Sequence, residues 1–330
     1  MSDSKIVVVA TGGTIAMKYD EASGGLVPAS TGEDLVRAVP ELAKLASLEF
    51  VQFSNVASSA MTPETVFRLH LALSEILARG DVAGAVVTHG TDTLEETAYL
   101  LDILHDSDKP VVMTAAMRGA AETGADGPAN ILAAARTAAS GEVRGEGVLV
   151  CLNDTLHAPG EVTKTHSANP ATFASPWWGP VGYVDADTIV MRRRRPPVRR
   201  FAPAALTARV DVVKAMTGVG REYVDFAVSR GCRGIVIEGF GRGNLPAEMV
   251  PGIRDAVARG LAVVVGTRVP AGRVLDVYGY PGSVTDCRRA GAVMGGEISA
   301  AKARLKLMAA LSENPALAAD REALEALFDV

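Results

Sequence analysis

Three places in the chain carry groups able to attack a carbonyl or move a proton. The first is Thr14, preceded by Thr11-Gly12-Gly13. The apolar run Ile6 to Ala10 reads as a buried central strand of a parallel sheet that stops abruptly at these residues. Paired glycines let the backbone turn sharply and pass close to a ligand. The hydroxyls then lie at the carboxyl end of a strand, where open α/β sheets bind ligands. Thr14 is therefore a candidate nucleophile, with simple capping of a following helix as the competing reading. The second place is Thr91-Asp92, in His89-Gly90-Thr91-Asp92-Thr93 after the short apolar strand Gly84 to Thr88. Here a carboxylate stands beside a hydroxyl, but Glu95 is spaced to close a capping box with Asp92, so capping again competes. The third is Lys164, between Thr163 and Thr165. A threonine hydroxyl is a poor nucleophile until a neighbour takes its proton. Lys164 can serve only if folding carries it to Thr91 and Asp92; in a polar loop it is otherwise solvated.

The elements that must position these groups alternate between strand and helix. Leu48 to Phe53 reads as a strand. Ser58 and Ser59 place hydroxyls just before Thr62-Pro63-Glu64, a good N-cap and first turn for a helix from Val66 to Arg79. Val111 to Thr114 and Gly147 to Leu152 read as further strands. The first leads to Ala115-Ala116-Met117-Arg118 and the second to Asn153-Asp154-Thr155. Ala125-Asp126-Gly127-Pro128 precedes an alanine-rich helix, Ile131 to Ala139. Met17 to Ser30 is rich in Gly, Ser, Asp and Pro and reads as a loop that closes over the site as a lid; Thr31 to Val39 follows as a helix stopped by Pro40. Beyond Met191 to Ala204, reading MRRRRPPVRRFAPA, strands at Val210 to Met216, Gly234 to Glu238 and Leu261 to Gly266 alternate with helices at Tyr223 to Arg230 and Pro246 to Arg259. Two helices, Ala300 to Ser312 and Pro315 to Phe328, end the chain in a composition suited to packing or oligomer contacts.

The expected fold is α/β, with two α/β domains: a larger N-terminal, mostly parallel sheet flanked by helices and a smaller C-terminal α/β domain. The boundaries are 1–190 for the N-terminal domain with the threonines, 191–204 for an Arg/Pro-rich linker, and 205–330 for the C-terminal domain. Prolines exclude a helix from the linker and arginines keep it in water; an anion or nucleic-acid patch is the sharper alternative.

A length of 330 residues fits two domains, and a formal charge of -5 argues against a general nucleic-acid binder. Cys151, Cys232 and Cys287 are odd in number and lack metal-ligand spacing, which fits a reducing compartment and no metal. No signal peptide or membrane span is expected. Gly12-Gly13 lacks the spacing of a dinucleotide fingerprint, so no nucleotide cofactor is expected either.

The ATGGTIA stretch, Val87 to Asp102 (VTHGTDTLEETAYLLD), AMRGA, ADGP, NDT and VTKT together resemble the bacterial L-asparaginase family. The likeness continues through Gly239 to Leu245, Arg268-Val269-Pro270 and Ala301 to Arg304, so it covers nearly the whole chain. The resemblance implies a cytoplasmic amidohydrolase that converts L-asparagine to L-aspartate and ammonia without a cofactor. It matches Thr14 to the family's first catalytic threonine, and Thr91, Asp92 and Lys164 to the second threonine with its acid and base partners. Asp92 would otherwise hold the substrate α-amino group, and Ser58 and Ser59 the α-carboxylate. Ala116 matches a residue whose carbonyl contacts the leaving amide. The resemblance also implies a homotetramer of intimate dimers in which Asn244 completes a neighbour's site. The family's lid tyrosine has no clear match, since Leu26 stands in its Gly-x-x-Pro context; Tyr19 is the substitute candidate. The alternatives are a mixed glutaminase-asparaginase, the amidase part of a tRNA-dependent amidotransferase, and an amide-binding module.

Overall fold

The computed structural model describes residues 4–13, 17–20, 25–28 and 39–329. The chain divides into two compact units, Met1–Arg200 and Phe201–Val330.

The first unit is built on an eight-stranded sheet. β1 (Lys5–Gly12), expected as a central strand, is the penultimate one, next to the edge, but it has neighbours on both sides, and Ile6 to Ala10 are buried, as a β-branched run flanked by parallel strands must be. β1 pairs in parallel with β4 (Ser47–Val56) and with β5 (Val82–Thr88), Val9 standing opposite Val51 and Val87. β6 (Val111–Thr114) and β7 (Val148–Leu152) extend the parallel run beyond β5. An antiparallel edge follows: β8 (Thr155–His157), β11 (Gly182–Asp185) and β12 (Thr188–Met191). From β1 the chain goes first to β4 on one side and then to β5 on the other. The strand order therefore reverses about β1, and the crevice at the carboxyl ends of β1 and β5 is the topological switch point.

Helices close the sheet. α2 (Pro63–Ala78) buries Val66, Phe67, Leu69, Leu73, Ile76 and Leu77, a helical stripe, and Thr62 caps it by accepting the Thr65 N–H at 3.1 Å. That start agrees with the Thr-Pro-Glu signal. It follows α1 (Leu42–Leu45) and precedes α3 (Leu94–Leu104) and α4 (Gly127–Ala139). α4 can lie close to β5 because both surfaces are small: a β-carbon on Gly84 would meet the Ala138 carbonyl at 2.8 Å. Within Met17 to Ser30, β2 (Met17–Asp20) and β3 (Gly25–Pro28) form an antiparallel pair, a regular ladder where the composition predicts only a loop. The helix expected over 31–39 lies almost wholly outside the described residues.

The arginine run departs from the expected solvated linker. Arg193, Arg194 and Arg195 pair with Glu161, Glu146 and Asp102, and the side chains of Arg195 and Asp102 are only 8% and 1% exposed. Prolines do keep the segment free of helix, and Arg194, 63% exposed, stays in water as expected, but Arg193 and Arg195 are taken up by carboxylates of the first unit. Burial pushes the Asp102 carboxyl above its ordinary range, against the pull of Arg195 and the Val148 N–H.

The second unit has a four-stranded parallel sheet, β13 (Val210–Lys214), β14 (Gly234–Gly239), β15 (Ala262–Thr267) and β16 (Val293–Met294), with helices including 222–229, 250–258 and 300–313. The expected mixed α/β architecture is thus present in both units. No described helix is long and apolar enough to cross a membrane.

Candidate active site

At the switch point the strand ends are laced together by polar contacts. Thr11 Oγ1 donates to the Thr88 carbonyl at 2.9 Å, Ser54 Oγ donates to the Thr11 carbonyl at 2.9 Å, and the Gly13 N–H donates to Val56 O at 3.2 Å. Gly12 and Gly13 have φ of 112° and 86°, a backbone conformation that other residues adopt only with strain. A β-carbon on Gly13 would collide with the backbone of Gly90, and one on Gly90 would stand 2.6 Å from Ser58 Oγ. Three loops therefore converge with glycine as the only residue that fits between them: the ends of β1 and β5 and the turn before α2.

Thr91, Asp92 and Lys164 meet beside this junction. Lys164 Nζ lies 2.9 Å from Thr91 Oγ1 and 2.8 Å from Asp92 Oδ1. Lys164 comes from β9 (Thr163–Lys164), which pairs with β10 (Phe173–Ala174) in a small separate hairpin. Thr91 is buried and the Lys164 side chain is 18% exposed, whereas Asp92 is 67% exposed and so keeps carboxylate surface for another partner. A hydroxyl, an amine and a carboxylate from positions 73 residues apart in sequence thus form one chain of contacts. Such a chain can move a proton from a nucleophile.

The capping box expected between Asp92 and Glu95 does not form. Thr93 is the N-cap of α3 and makes no side-chain cap bond; its Oγ1 donates to the Ser58 carbonyl at 2.8 Å. Glu95 Oε2 accepts the backbone N–H of Lys164 at 2.7 Å. The i, i+3 spacing suggests a local partner, but the nearer claim on Glu95 is a strand that only the fold delivers. Glu95 is the site residue that sequence reasoning missed, and no local signal distinguishes it.

The wall formed by β6 holds Ala116, which is fully buried. Its surroundings are fixed from α4: Asn130 Nδ2 donates to the Ala115 carbonyl at 2.9 Å, and Asp126 accepts the N–H groups of Met117 at 3.0 Å and Arg118 at 2.9 Å. Asn153-Asp154 forms the two-residue turn between β7 and β8. Both residues have positive φ, 50° and 55°, as a type I′ hairpin requires, and the Asn153 N–H donates to Asn130 Oδ1 at 2.9 Å. The NDT piece is therefore a turn tied to the same frame.

The remaining expected residues are dispersed. Ser58 is buried at the junction while Ser59 is exposed. Thr14 lies outside the described residues. Tyr19, the candidate lid residue, stands on β2 directly opposite Leu26 on β3, the residue found in the expected tyrosine's context. Asn244 lies in the second unit, bridged to Phe240, and among the described residues its buried Oδ1 finds no donor. Among the described residues no cluster of His, Cys, Asp and Glu is arranged to hold a metal ion. Next to Thr91, His89 is fully buried with Nδ1 2.7 Å from the Gly90 carbonyl, and burial pushes it down to about 4.

Comparison with known proteins shows what the chain as a whole is similar to. Residues 5–197 match the family model described as "Asparaginase, N-terminal", and residues 209–328 match the "Glutaminase/Asparaginase C-terminal domain". The chain is 34% identical to an L-asparaginase of Bacillus licheniformis over 321 residues, covering 94% of this chain and 96% of that protein. It is 37% identical to a probable L-asparaginase of Deinococcus radiodurans over 328 residues, covering 98% and 97%. A crystal structure of a probable cytoplasmic L-asparaginase from Campylobacter jejuni superposes with a TM-score of 0.86 at 32% identity, covering 98% and 99%.

Proposed function

The chain belongs to the asparaginase family, and from that premise we propose that it hydrolyses L-asparagine to L-aspartate and ammonia with threonine as nucleophile. The observation that carries the threonine chemistry is the position of Lys164 Nζ, within hydrogen-bond reach of both Thr91 Oγ1 and Asp92 Oδ1. In this reading a threonine oxygen attacks the side-chain amide carbon, the C–N bond breaks, and the nitrogen leaves as ammonia with the proton released by the hydroxyl. Water then cleaves the acyl ester, which gives aspartate and restores the hydroxyl. Thr14 takes the first role, as the resemblance implies, and Thr91 with Lys164 and Asp92 passes protons. The exposed side of Asp92 and the buried Ser58, with Ser59, hold the α-amino and α-carboxylate groups. Ala116 faces the leaving amide, and backbone N–H groups near Thr91 receive the oxyanion.

The domain division at 191–204, the cytoplasmic location and the homotetramer with Asn244 shared between subunits belong to the same proposal. The matches to the family models, which end at 197 and resume at 209, support the first. The Campylobacter jejuni neighbour, described as cytoplasmic, supports the second. The Asn244 Oδ1, buried and without a donor among the described residues, supports the third.

The test is ammonia release from L-asparagine, L-glutamine and their D-forms, with Lys164→Met and Thr91→Ala beside the wild type. Asparagine is the preferred amide, since one methylene in a fitted pocket is worth roughly 1 to 3 kcal/mol. Both variants lose on the order of 10² to 10⁴ in turnover. Unchanged turnover in Lys164→Met removes the proton relay, and comparable specificity constants for the two L-amides replace the reading with a glutaminase-asparaginase. Mixing inactive Thr14→Ala with inactive Asn244→Ala chains restores activity if sites are shared.

A further inference from the structure

The N-cap residue of α4, Asp126, does not cap its helix. No backbone N–H of the first turn of 127–139 donates to its side chain. The carboxylate turns back instead onto the loop that follows β6. Oδ1 and Oδ2 lie 3.1 and 3.0 Å from the Met117 N–H, Oδ1 accepts the Arg118 N–H at 2.9 Å, and Oδ2 accepts from Asn130 Nδ2 at 3.2 Å. Asn130, one turn along α4 and 3% exposed, donates to the Ala115 carbonyl and accepts from the Asn153 N–H, both at 2.9 Å. The peptide groups on both sides of Ala116 are thus held from one helix. The rest of the loop closes on itself: Gly119 N–H donates to Glu122 Oε1 at 2.8 Å, and Arg118 Nη1 donates to the Gly124 carbonyl at 2.9 Å. An aspartate is expected to satisfy helix amides at this position. Here those amides are left without it, and a buried asparagine makes three hydrogen bonds in the same frame.

We propose that Asp126, seconded by Asn130, is a positioning residue that aims the Ala116 carbonyl at the leaving nitrogen of the substrate amide. The inference rests on the amidohydrolase reading above. A carbonyl oxygen in that place accepts an N–H of the amide and keeps hold of it as the C–N bond breaks. A backbone carbonyl cannot be aimed by a rotamer of its own, so its direction is set by the peptide before it and by the N–H that shares its own peptide plane. Those are the groups that Asn130 and Asp126 hold. A misplacement of about 1 Å at such a position costs on the order of 10²-fold in rate.

An ester analogue separates positioning from general support of the fold. L-Aspartate β-methyl ester carries the same α-groups and the same scissile carbonyl, but its leaving group has no N–H to offer Ala116. In Asp126→Ala, kcat for L-asparagine falls on the order of 10²-fold. KM stays within a few-fold and the ester loses at most about a third as much on a logarithmic scale. Asp126→Asn keeps Oδ1 for Met117 and Arg118, and recovers most of the amide turnover. Equal loss on amide and ester, or a change confined to KM, overturns the inference. Should Asp126→Ala not fold, the amide-to-ester ratio of Asp126→Ser, which suits a helix N-cap but is one atom short of the Met117 and Arg118 amides, carries the test. A lowered ratio supports the inference, and an unchanged ratio overturns it. A wild type that releases no ammonia from asparagine removes the amidohydrolase reading itself, which is a separate failure.

Discussion

Glu95 holds Lys164 by its main chain while Thr91 and Asp92 hold it by its side chain. The carboxylate Oε2 accepts the Lys164 N–H at 2.7 Å, and the other two contacts are made at Nζ. These three partners of Lys164 lie within five consecutive residues at the start of α3. The lysine therefore has its root and its tip fixed by one rigid element. Glu95→Ala should lower kcat on the order of 10²-fold with little change in KM, because the root of the lysine shifts while substrate contacts remain. Glu95→Gln, which keeps an acceptor oxygen, should retain far more activity. Steady-state ammonia release decides it, and wild-type kcat in Glu95→Ala would show that the main-chain contact is dispensable.

Gly90 tests the junction of the three loops. A β-carbon there would stand 2.6 Å from Ser58 Oγ and 3.1 Å from Gly13 Cα, so the loops must part to admit it. Gly90→Ala should reduce turnover on the order of 10²-fold. Gly80→Ala, at a place with nothing within 4 Å, is the matched control and should leave turnover unchanged. Equal behaviour of the two variants would mean that the junction yields without consequence.

These two sites mark what the sequence made legible. The strands ending at Gly12, Thr88 and Thr114 were readable because β-branched runs bounded by glycine or polar clusters leave few alternatives, and the parallel order followed from alternation with helices. Thr91 and Asp92 were readable as hydroxyl and carboxylate at a strand end. Lys164 was not assignable from its surroundings, since Thr-Lys-Thr in a polar stretch describes a solvated lysine equally well; only the family resemblance singled it out. Glu95 and Arg195 were misread for a common reason. Spacing reports neighbours along the chain, while their partners lie 69 and 93 residues away, for Glu95 to Lys164 and Arg195 to Asp102.

The Arg195–Asp102 pair makes a stability prediction. Both side chains are buried, and Arg195 Nη1 lies 2.6 Å from each carboxylate oxygen. Arg195→Met alone leaves an uncompensated buried acid and should cost about 3 to 5 kcal/mol, whereas adding Asp102→Leu should recover a large part of that loss. Urea unfolding of the single and double variants measures it. A double variant less stable than the single would contradict the argument.

Acid should destabilise the first unit through its histidines. Burial is the leading cause holding His89, His105 and His157 down at about 4, below the ordinary 6.5. A lowered folded-state value means that the unfolded chain takes up these protons first. The stability they contribute is complete above pH 6.5 and is lost as pH falls towards 4. Each pKa unit is worth about 1.4 kcal/mol, so the summed loss reaches several kcal/mol. Asp102, raised by burial, opposes it in part. Thermal unfolding followed from pH 7 to pH 4.5 should show a steady decline, and a flat profile would contradict it.

Thr62, Ser299 and Asp320 each accept the N–H three residues along and so cap their own helices. Thr93 and Asp126, at the heads of the two helices that border the site, do not. A missing cap forgoes about 1 kcal/mol. A selection for heat resistance and a selection for turnover will therefore rank substitutions at these two positions in opposite orders. A residue that returned to its own helix would make a firmer protein and a blunter catalyst.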